Sequence, residues 1–333
     1  MSRVLVARLD SDGDVLLAGP AVRAVAASAE VVLLIGPRGR QAAELLPAVA
    51  ETLVWRAPWI DPDPDPVEPS DVDGLVAAVR RSRVDAAVVL TSFHQSALPL
   101  ALLLRLAGVA HVTAVSEDYP GSLLDVRHRI DGDLPEAERG LSTVAAAGFR
   151  LPPGDDGRLR LRGPLPPVEH LTGPGPYVVL HPGASVPARA WSPDRAAAAV
   201  EALTAAGHRV LVTGGPAEAG LTAAVAGPAT DLGGRTGFAE LAAVLAGAAA
   251  VVVGNTGPAH LAAAVGTPVV SLFAPVVPAA RWAPYGVPAV LLGDQDAPCR
   301  DTRAKLCPVP GHPCLDSVTP ADVVAAVDKL VTA

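Results

Sequence analysis

The residues with the clearest potential for chemistry form a short polar turn within an apolar part of the chain. Asn255-Thr256-Gly257-Pro258-Ala259-His260 follows the apolar run 248–253 and precedes Leu261-Ala262-Ala263-Ala264. This order predicts a buried strand, a tight turn and a helix, and glycine in such a turn lets a ligand approach the backbone. Because the first N–H groups of a helix favour a phosphate, we interpret the turn as the docking site of an anionic, nucleotide-linked substrate.

Two further polar turns follow predicted strands in the same half of the chain. His181-Pro182-Gly183-Ala184-Ser185 ends one strand, and the nearby Arg189 offers phosphate a fixed positive charge. Gly214-Gly215-Pro216-Ala217-Glu218 ends the next strand. Glu218 could accept hydrogen bonds from a ribose or act only as an acid in the first turn of a helix. An ordinary loop with a surface arginine is the alternative for Arg189.

Three acidic residues, Asp10, Asp12 and Asp14, lie in the first predicted strand-to-helix turn. A carboxylate at this point could take a proton from a hydroxyl or hold a metal. Helix capping by Asp14 is the structural alternative. The spacing resembles part of a calcium loop, but the terminal glutamate is missing and a strand precedes the turn, so we discount calcium.

The elements that must position these residues alternate between apolar strands and helical patterns, which predicts an α/β fold with parallel sheets covered on both faces. Strands are predicted at 4–7, 31–35, 52–55, 86–90 and 111–115, and again at 177–180, 209–212, 251–253 and 269–272. Helices are predicted at 15–27, 38–46, 70–81, 96–108 and 134–148, and again at 193–206, 217–226, 238–246, 258–265 and 320–332. Residues 61–66 alternate Asp and Pro and predict a stiff acidic surface loop.

A segment rich in Pro, Gly and charge, residues 151–176, separates the two βα series and predicts a linker. We therefore expect two doubly wound domains, residues 1–165 and 166–318. A C-terminal helix in 319–333 could pack back on the first domain. Ligands of such sheets bind beyond the carboxyl ends of the strands, and every polar turn named above follows a strand.

Composition excludes several classes of protein. The 333 residues are 50% hydrophobic and carry a formal net charge of −8, which argues against a nucleic-acid partner. No apolar run reaches the length of a membrane span and no signal-peptide pattern is present, so we expect a cytoplasmic protein and leave peripheral membrane association open. A dinucleotide-dependent dehydrogenase is disfavoured because no G-x-G-x-x-G motif follows the first strand.

The cysteines Cys299, Cys307 and Cys314 lie near His312. Three cysteines and one histidine are a ligand set that a structural zinc ion accepts. Their spacing contains no close cysteine pair, so free thiols are the favoured interpretation and zinc the alternative.

The turns, taken in order, make the chain resemble glycosyltransferase family 9, the heptosyltransferase family. The likeness rests on the motifs around His181, Glu218 and Asn255 and on Asp231-Leu232-Gly233-Gly234-Arg235-Thr236. In the first half it rests on Arg8-Leu9-Asp10-Ser11-Asp12-Gly13-Asp14-Val15-Leu16-Leu17. The resemblance implies a GT-B architecture, in which two Rossmann-like domains face each other across a cleft. It also implies inverting transfer of a sugar from a nucleotide-sugar donor, with no obligatory metal or other cofactor.

The resemblance assigns Asp14 to the position of the catalytic base. It assigns Ser185 and Arg189 to the diphosphate, Glu218 to the ribose and Thr236 to the base. The turn that contains Asn255, Thr256, Gly257 and His260 then binds sugar and phosphate. Two residues depart from the family pattern: Arg189 replaces the usual Lys, and Asn255 stands where Asp is common.

On the acceptor side we expect contacts from polar residues after strands of the first half. The candidates are Ser92, His94, Arg127 and Arg129. A solvated surface loop is the alternative for the basic cluster Arg127-His128-Arg129.

The resulting prediction is a transferase that moves a heptose-like sugar from a nucleotide sugar, with ADP as the expected nucleotide, to a hydroxyl of an acceptor. Family members typically act in lipopolysaccharide synthesis, while a cell-wall glycan or a secondary metabolite is the alternative acceptor here. The alternative functions are a nucleotide-sugar-binding protein with altered catalysis and a GT-B-like nucleotide-sugar epimerase. The oligomeric state is left open.

Overall fold

A computed structural model describes residues 2–332, which form two compact units that divide between Arg162 and Gly163. Each unit holds one six-stranded parallel sheet with helices on both faces, so the predicted doubly wound α/β class is confirmed. No helix among the described residues is both long and apolar enough to cross a membrane.

The first unit contains a sheet with the order β3-β2-β1-β4-β5-β6. Its strands are β1 (Arg3–Arg8), β2 (Glu30–Ile35), β3 (Glu51–Val54), β4 (Ala86–Val89), β5 (His111–Val115) and β6 (Val126–His128). Its helices are α1 (Asp12–Ala26), α2 (Arg40–Leu45), α3 (Pro69–Ser82), α4 (Leu98–Leu106) and α5 (Glu136–Ala146). The central strands β1 and β2 are apolar and almost wholly buried, as expected for a sheet covered on both faces.

The second unit repeats this plan with the order β12-β11-β10-β7-β8-β9. Its strands are β7 (Val178–His181), β8 (Val210–Val212), β9 (Thr230–Asp231), β10 (Ala250–Gly254), β11 (Val269–Leu272) and β12 (Ala289–Leu292). Its helices are α6 (Glu169–Thr172), α7 (Pro193–Ala205), α8 (Ala219–Ala226), α9 (Phe238–Ala246), α10 (Gly257–Ala264), α11 (Ala279–Trp282), α12 (Pro313–Asp316) and α13 (Pro320–Val331).

Three strands were not predicted from the sequence: β6, β9 and β12. All three lie at the edge of a sheet. Edge strands are short and only partly buried here, so they lack the continuous apolar run by which the central strands are recognised.

The C-terminal helix α13 packs within the second unit, against α7. Its residues Val323, Ala326 and Val327 join the core that contains Trp191 and Leu203. Thr319 caps the helix by accepting a hydrogen bond from the Asp322 N–H at 3.2 Å, as its sequence suggests.

The segment expected to be a linker begins as an ordered part of the first unit. Arg23 of α1 donates to both carboxylate oxygens of Asp155, at 2.7 and 2.9 Å, and also to the carbonyl of Arg158 at 2.8 Å. The Arg23 and Asp155 side chains are both nearly buried. This bidentate pair fastens residues 155–158 to α1, and the hydrogen bond from Arg23 is the main reason that the pKa of Asp155 falls to about 2.

We expect Asp155→Asn to destabilise the first unit by about 2 kcal/mol, because it leaves a nearly buried arginine without its counter-ion. The depressed pKa of Asp155 means that its stabilisation is present above the unfolded-state pKa and is lost as pH falls toward about 2. Urea unfolding of wild type and variant should therefore differ at neutral pH and converge at strongly acid pH. The neighbouring, exposed Asp156→Asn is the matched control and should change little; an equal loss in both variants would contradict this role for the pair.

Candidate active site

The first group of candidate residues lies where the strand order of the first sheet reverses. The chain runs outward from β1 through β2 to β3, and then returns to β4 on the other side of β1. The loops after β1 and β4 therefore diverge at the carboxyl end of the sheet and leave the crevice in which doubly wound folds bind ligands. The loop after β1 carries Asp10 and Ser11, and the loop after β4 carries Ser92 and Gln95.

Asp14 lies in the first turn of α1, at this crevice. One carboxylate oxygen, Oδ2, accepts hydrogen bonds from the Ser11 N–H at 3.2 Å and from the Ser11 hydroxyl at 2.8 Å. The other, Oδ1, accepts from the Arg8 guanidinium at 2.8 Å. Asp14 thus closes a capping interaction with Ser11, and its carboxylate is also held in one orientation at the carboxyl end of the sheet.

Arg8 is the centre of this site, although no role of its own was predicted for it. Its buried side chain lies 3.0 Å from Asp10, 2.8 Å from Asp14 and 3.2 Å from Glu136 of α5. It also donates to the Ser92 hydroxyl at 2.9 Å. The one sequence signal for Arg8 is its place as a charged residue at the end of an apolar strand, directly before three aspartates.

The shared arginine sets the protonation of the carboxylates around it. Burial raises the pKa of Asp14, but the charge of Arg8 and the hydrogen bonds from Ser11 and Arg8 outweigh burial, and the pKa ends below its ordinary value. Burial dominates at Asp10 and raises its pKa to about 6, against the opposing charge of Arg8. Asp14 is therefore the carboxylate of this cluster that stays ionised most readily.

The remaining aspartate of the turn, Asp12, has a structural role. Its carboxylate accepts a hydrogen bond from the Ala42 N–H of α2 at 2.8 Å. This contact ties the start of α1 to α2.

The four residues predicted to contact an acceptor occupy different environments. Ser92 is buried against Arg8, while His94 is exposed on the loop after β4. Arg127 belongs to β6, so the basic cluster is partly an edge strand, and its guanidinium donates to the carbonyls of Ser116 and Glu117. Arg129 follows β6 and is exposed. Ser92 is thus joined directly to the Arg8 cluster by a hydrogen bond.

The second group of candidates lies at the corresponding crevice of the second sheet. There the chain runs from β7 to β8 and β9, and then returns to β10 beside β7. The loop after β7 carries Ser185 and Arg189, and the loop after β10 carries the turn that begins at Asn255. The sheet therefore brings these two sequence motifs together at its carboxyl end, although about 70 residues separate them in the chain.

Glu218 is held at this edge by backbone and side-chain contacts. Its Oε2 accepts a hydrogen bond from the Gly215 N–H at 2.8 Å and lies 3.8 Å from Nε2 of His181. Burial lowers the pKa of His181, against the opposing charge of Glu218, so the imidazole is neutral near pH 7. A Cβ on Gly183 would lie 1.9 Å from the Glu218 carboxylate, which shows how closely the loop after β7 approaches this side chain.

Asn255 makes a two-point contact with the backbone after β11. Its amide nitrogen donates to the Ala274 carbonyl at 3.3 Å, and its amide oxygen accepts from the Ala274 N–H at 3.4 Å. An aspartate, which is common at this position in the family that the chain resembles, lacks the donor for the first of these contacts when it is ionised. The amide therefore serves as a brace between the two loops.

The remaining predicted residues lie on loops and helix starts of the second unit. Thr256 is the N-cap of α10, Gly257 is the first residue of the helix, and His260 is buried one turn later. Ser185 is exposed, Arg189 ends a half-buried 3-10 turn at 187–189, and Thr236 lies just before α9. The N-terminus of α10 and the guanidinium of Arg189 are both groups that favour an anion.

The cysteines all belong to the second unit. Cys299 and Cys314 are buried in its core and, with Cys307, are free thiols. His312 contacts the Ala188 carbonyl through Nε2 at 3.1 Å. Within residues 2–332 no group of three or more His, Cys, Asp or Glu side chains is arranged to hold a metal ion.

A protein-family model matches this chain. The model described as glycosyltransferase family 9 (heptosyltransferase) aligns with residues 74–312, which is more than half of the chain. A search of curated proteins gave no match.

Solved structures share the fold over nearly the whole chain. E. coli ADP-heptose lps heptosyltransferase II is 19% identical with a TM-score of 0.75, and the match covers 100% of this chain and 99% of that one. A family 9 glycosyl transferase from Veillonella parvula is 17% identical with a TM-score of 0.78, over 99% and 97%. E. coli heptosyltransferase WaaC with ADP-2-deoxy-2-fluoro heptose is 21% identical with a TM-score of 0.70, over 98% and 99%.

Proposed function

The chain belongs to glycosyltransferase family 9, the heptosyltransferase family, and on that premise we propose that it transfers a heptose-like sugar from an ADP-linked donor to an acceptor hydroxyl. The observation that carries this proposal is the Asp14 carboxylate, held by Arg8 and Ser11 at the carboxyl end of the first sheet. The choice of ADP is supported by similar structures whose names include ADP-heptose or its fluoro analogue.

In the proposed reaction the acceptor hydroxyl attacks the anomeric carbon of the donor sugar. The bond from that carbon to the diphosphate oxygen breaks as the new glycosidic bond forms on the opposite face, which inverts the configuration. Asp14 takes the hydroxyl proton, and the bonding electrons leave with the ADP. A carboxylate whose pKa lies below its ordinary value is ionised near pH 7 and therefore ready to accept this proton.

The second sheet supplies the proposed donor site. The N-terminus of α10, with Thr256 and Gly257, and the guanidinium of Arg189 face the charge that develops on the leaving diphosphate. Ser185 adds a hydroxyl to this diphosphate site. Glu218 accepts hydrogen bonds from the ribose, and Thr236 contacts the adenine.

The donor sugar contacts the remaining part of the turn that begins at Asn255. His260 contacts the sugar or its phosphate. Because the amide of Asn255 is engaged with Ala274, its contribution is to hold the turn in shape rather than to bring a charge to the sugar.

A donor screen tests the proposed function directly. Binding of ADP-, GDP- and UDP-sugars to the full chain should favour the ADP-linked donor, and transfer from ADP-heptose to a panel of hydroxyl acceptors should release ADP. Donor binding without turnover on any acceptor would instead support a nucleotide-sugar-binding protein. Isomerisation of the donor without an acceptor would support an epimerase.

Gly183→Ala tests the place of Glu218 at the donor. The added Cβ would occupy the position 1.9 Å from the Glu218 carboxylate, so that flexible side chain must move away. If Glu218 binds the ribose, we expect the Kd for ADP to rise about tenfold, because one charge-assisted hydrogen bond is lost. Isothermal titration measures this effect. Gly220→Ala is the control, because its added Cβ meets nothing within 4 Å, and an unchanged Kd in Gly183→Ala would contradict the assignment.

A further inference from the structure

The carboxyl end of the first sheet carries more negative than positive charge. Exposed carboxylates lie on the loops that follow β3, β5 and β6: Asp63, Asp65, Glu117, Asp118, Asp131 and Asp133. The exposed arginines at this end are Arg38 and Arg40 after β2, Arg56 after β3 and Arg129 after β6, so they are fewer than the exposed carboxylates. Arg56 pairs with Asp65 at 3.1 Å. A ligand approaching this edge therefore meets a net negative field.

The arginines closest to Asp14 are already engaged by groups of the protein. Arg8 faces three carboxylates and does not leave a surplus of positive charge. Arg139 donates through Nε to the Thr91 carbonyl at 3.3 Å, and its charge also acts on Glu136. A phosphate or carboxylate on the acceptor would have to compete with these partners.

Glu136 favours a ligand that donates a hydrogen bond rather than one that carries a negative charge. Its side chain is only 1% exposed, and together with Asp14, Arg8 and Arg139 it lines a small pocket. One of its carboxylate oxygens, Oε2, accepts from Arg8, while Oε1 has no hydrogen-bond partner among the described residues. A buried carboxylate oxygen without a partner is unfavourable, and a ligand N–H or O–H donor would satisfy it.

An exposed aromatic ring stands on the acidic loop after β5. Tyr119 is 85% exposed in a chain that is only 3% aromatic. Its loop is held by the Ser116 hydroxyl, which donates to the Asp118 carbonyl at 2.8 Å, and by Arg127. A tyrosine ring next to Glu117 and Asp118 offers an ammonium group both a π face and two counter-charges.

From these observations we propose that the acceptor is a polyhydroxylated molecule that carries a protonated amine, such as an amino sugar, and not a phosphorylated or carboxylated glycan. This inference rests on the proposed function, because it takes the edge that carries Asp14 as the acceptor site. Glu117, Asp118 and Tyr119 select the amine, while the Glu136 pocket receives a donor group near the reacting hydroxyl.

Binding of matched tetrasaccharides to the full chain tests the proposal without knowledge of the natural acceptor. The probes are a glucosamine tetramer, its N-acetylated counterpart and a galacturonic acid tetramer, titrated calorimetrically at low salt and mildly acidic pH. We expect the amine-bearing tetramer to bind at least about tenfold more tightly than the N-acetylated one, with no measurable binding of the acidic tetramer. The preference should weaken as salt is added.

Variants separate a local site from general attraction to an acidic protein. Glu117→Gln with Asp118→Asn should weaken binding of the amine tetramer about fivefold, and Tyr119→Ala about threefold. Asp194→Asn with Glu201→Gln, on exposed positions of α7, changes the net charge equally and should have no such effect. Equal losses in the two double variants, equal binding of the acidic tetramer, or no binding of the amine tetramer would overturn the proposal. ADP binding in the same buffer separates this outcome from a failure of the proposed function, which predicts that ADP binds regardless.

Discussion

Asp14→Asn is expected to lower kcat about a thousandfold while the Kd for ADP stays unchanged. The amide preserves the size of the side chain and can still accept a hydrogen bond from Arg8 or Ser11, the two partners of the carboxylate. It cannot take the proton of an acceptor hydroxyl near pH 7. The loss should therefore appear in the chemical step, as measured by single-turnover release of ADP from ADP-heptose in the presence of acceptor.

Asp12→Asn provides the matched control for this variant. Asp12 lies two residues away and accepts from the Ala42 N–H, a contact that the amide oxygen of asparagine retains. We expect its turnover to remain within about threefold of wild type. Near-normal turnover in Asp14→Asn would remove Asp14 from the role of base, and an equal loss in both variants would indicate a structural effect of the α1 N-terminus.

Arg8→Met should have the second largest effect, and it should act on both stability and the pH dependence of catalysis. Removing the guanidinium leaves Asp10, Asp14 and Glu136 without their shared counter-ion, at an expected cost of about 3 kcal/mol in the free energy of unfolding. The pKa of Asp14 should rise, because the charge that holds it down is gone. Since the base must be deprotonated, the acid limb of the kcat profile should move to higher pH.

Adding Glu136→Gln to Arg8→Met separates the two effects. The second substitution removes one buried carboxylate and should recover part of the lost stability in urea unfolding. It should not return the acid limb of the profile to its wild-type position, because Asp14 still lacks its arginine. If stability and the pH profile were restored together, Arg8 would have a structural role alone; if the profile of Arg8→Met did not move, Arg8 would not position the base.

Much of the fold follows from local patterns in the sequence. The central strands, such as β2 (Glu30–Ile35) and β10 (Ala250–Gly254), contain apolar runs bounded by turn residues. Their burial on both faces explains why such runs are recognisable. The edge strand β6 contains Arg127 and His128, so its sequence resembles a basic surface loop, and only pairing with β5 identifies it as a strand.

Some residues of the candidate site could be identified from the sequence, and others only from the structure. Asp14 and the Asn255 turn were recognisable because each lies in one contiguous motif between a strand and a helix. Arg8 and Glu136 were not, because their 3.2 Å contact joins residues that are 128 positions apart in the chain. The same holds for Asn255 and Ala274, whose two hydrogen bonds depend on the packing of β10 beside β11.

By itself, the sequence of this protein determined the α/β class, the repeat of two doubly wound units and the family, because periodicity and short motifs are properties of neighbouring residues. The tertiary structure decided which charges meet. It placed three carboxylates on one buried arginine and gave Asp14 a pKa below and Asp10 a pKa above the ordinary value. It also left one carboxylate oxygen of Glu136 without a hydrogen-bond partner within residues 2–332. Such protonation states depend on burial and on the distance between charges, and both arise only when distant segments pack together.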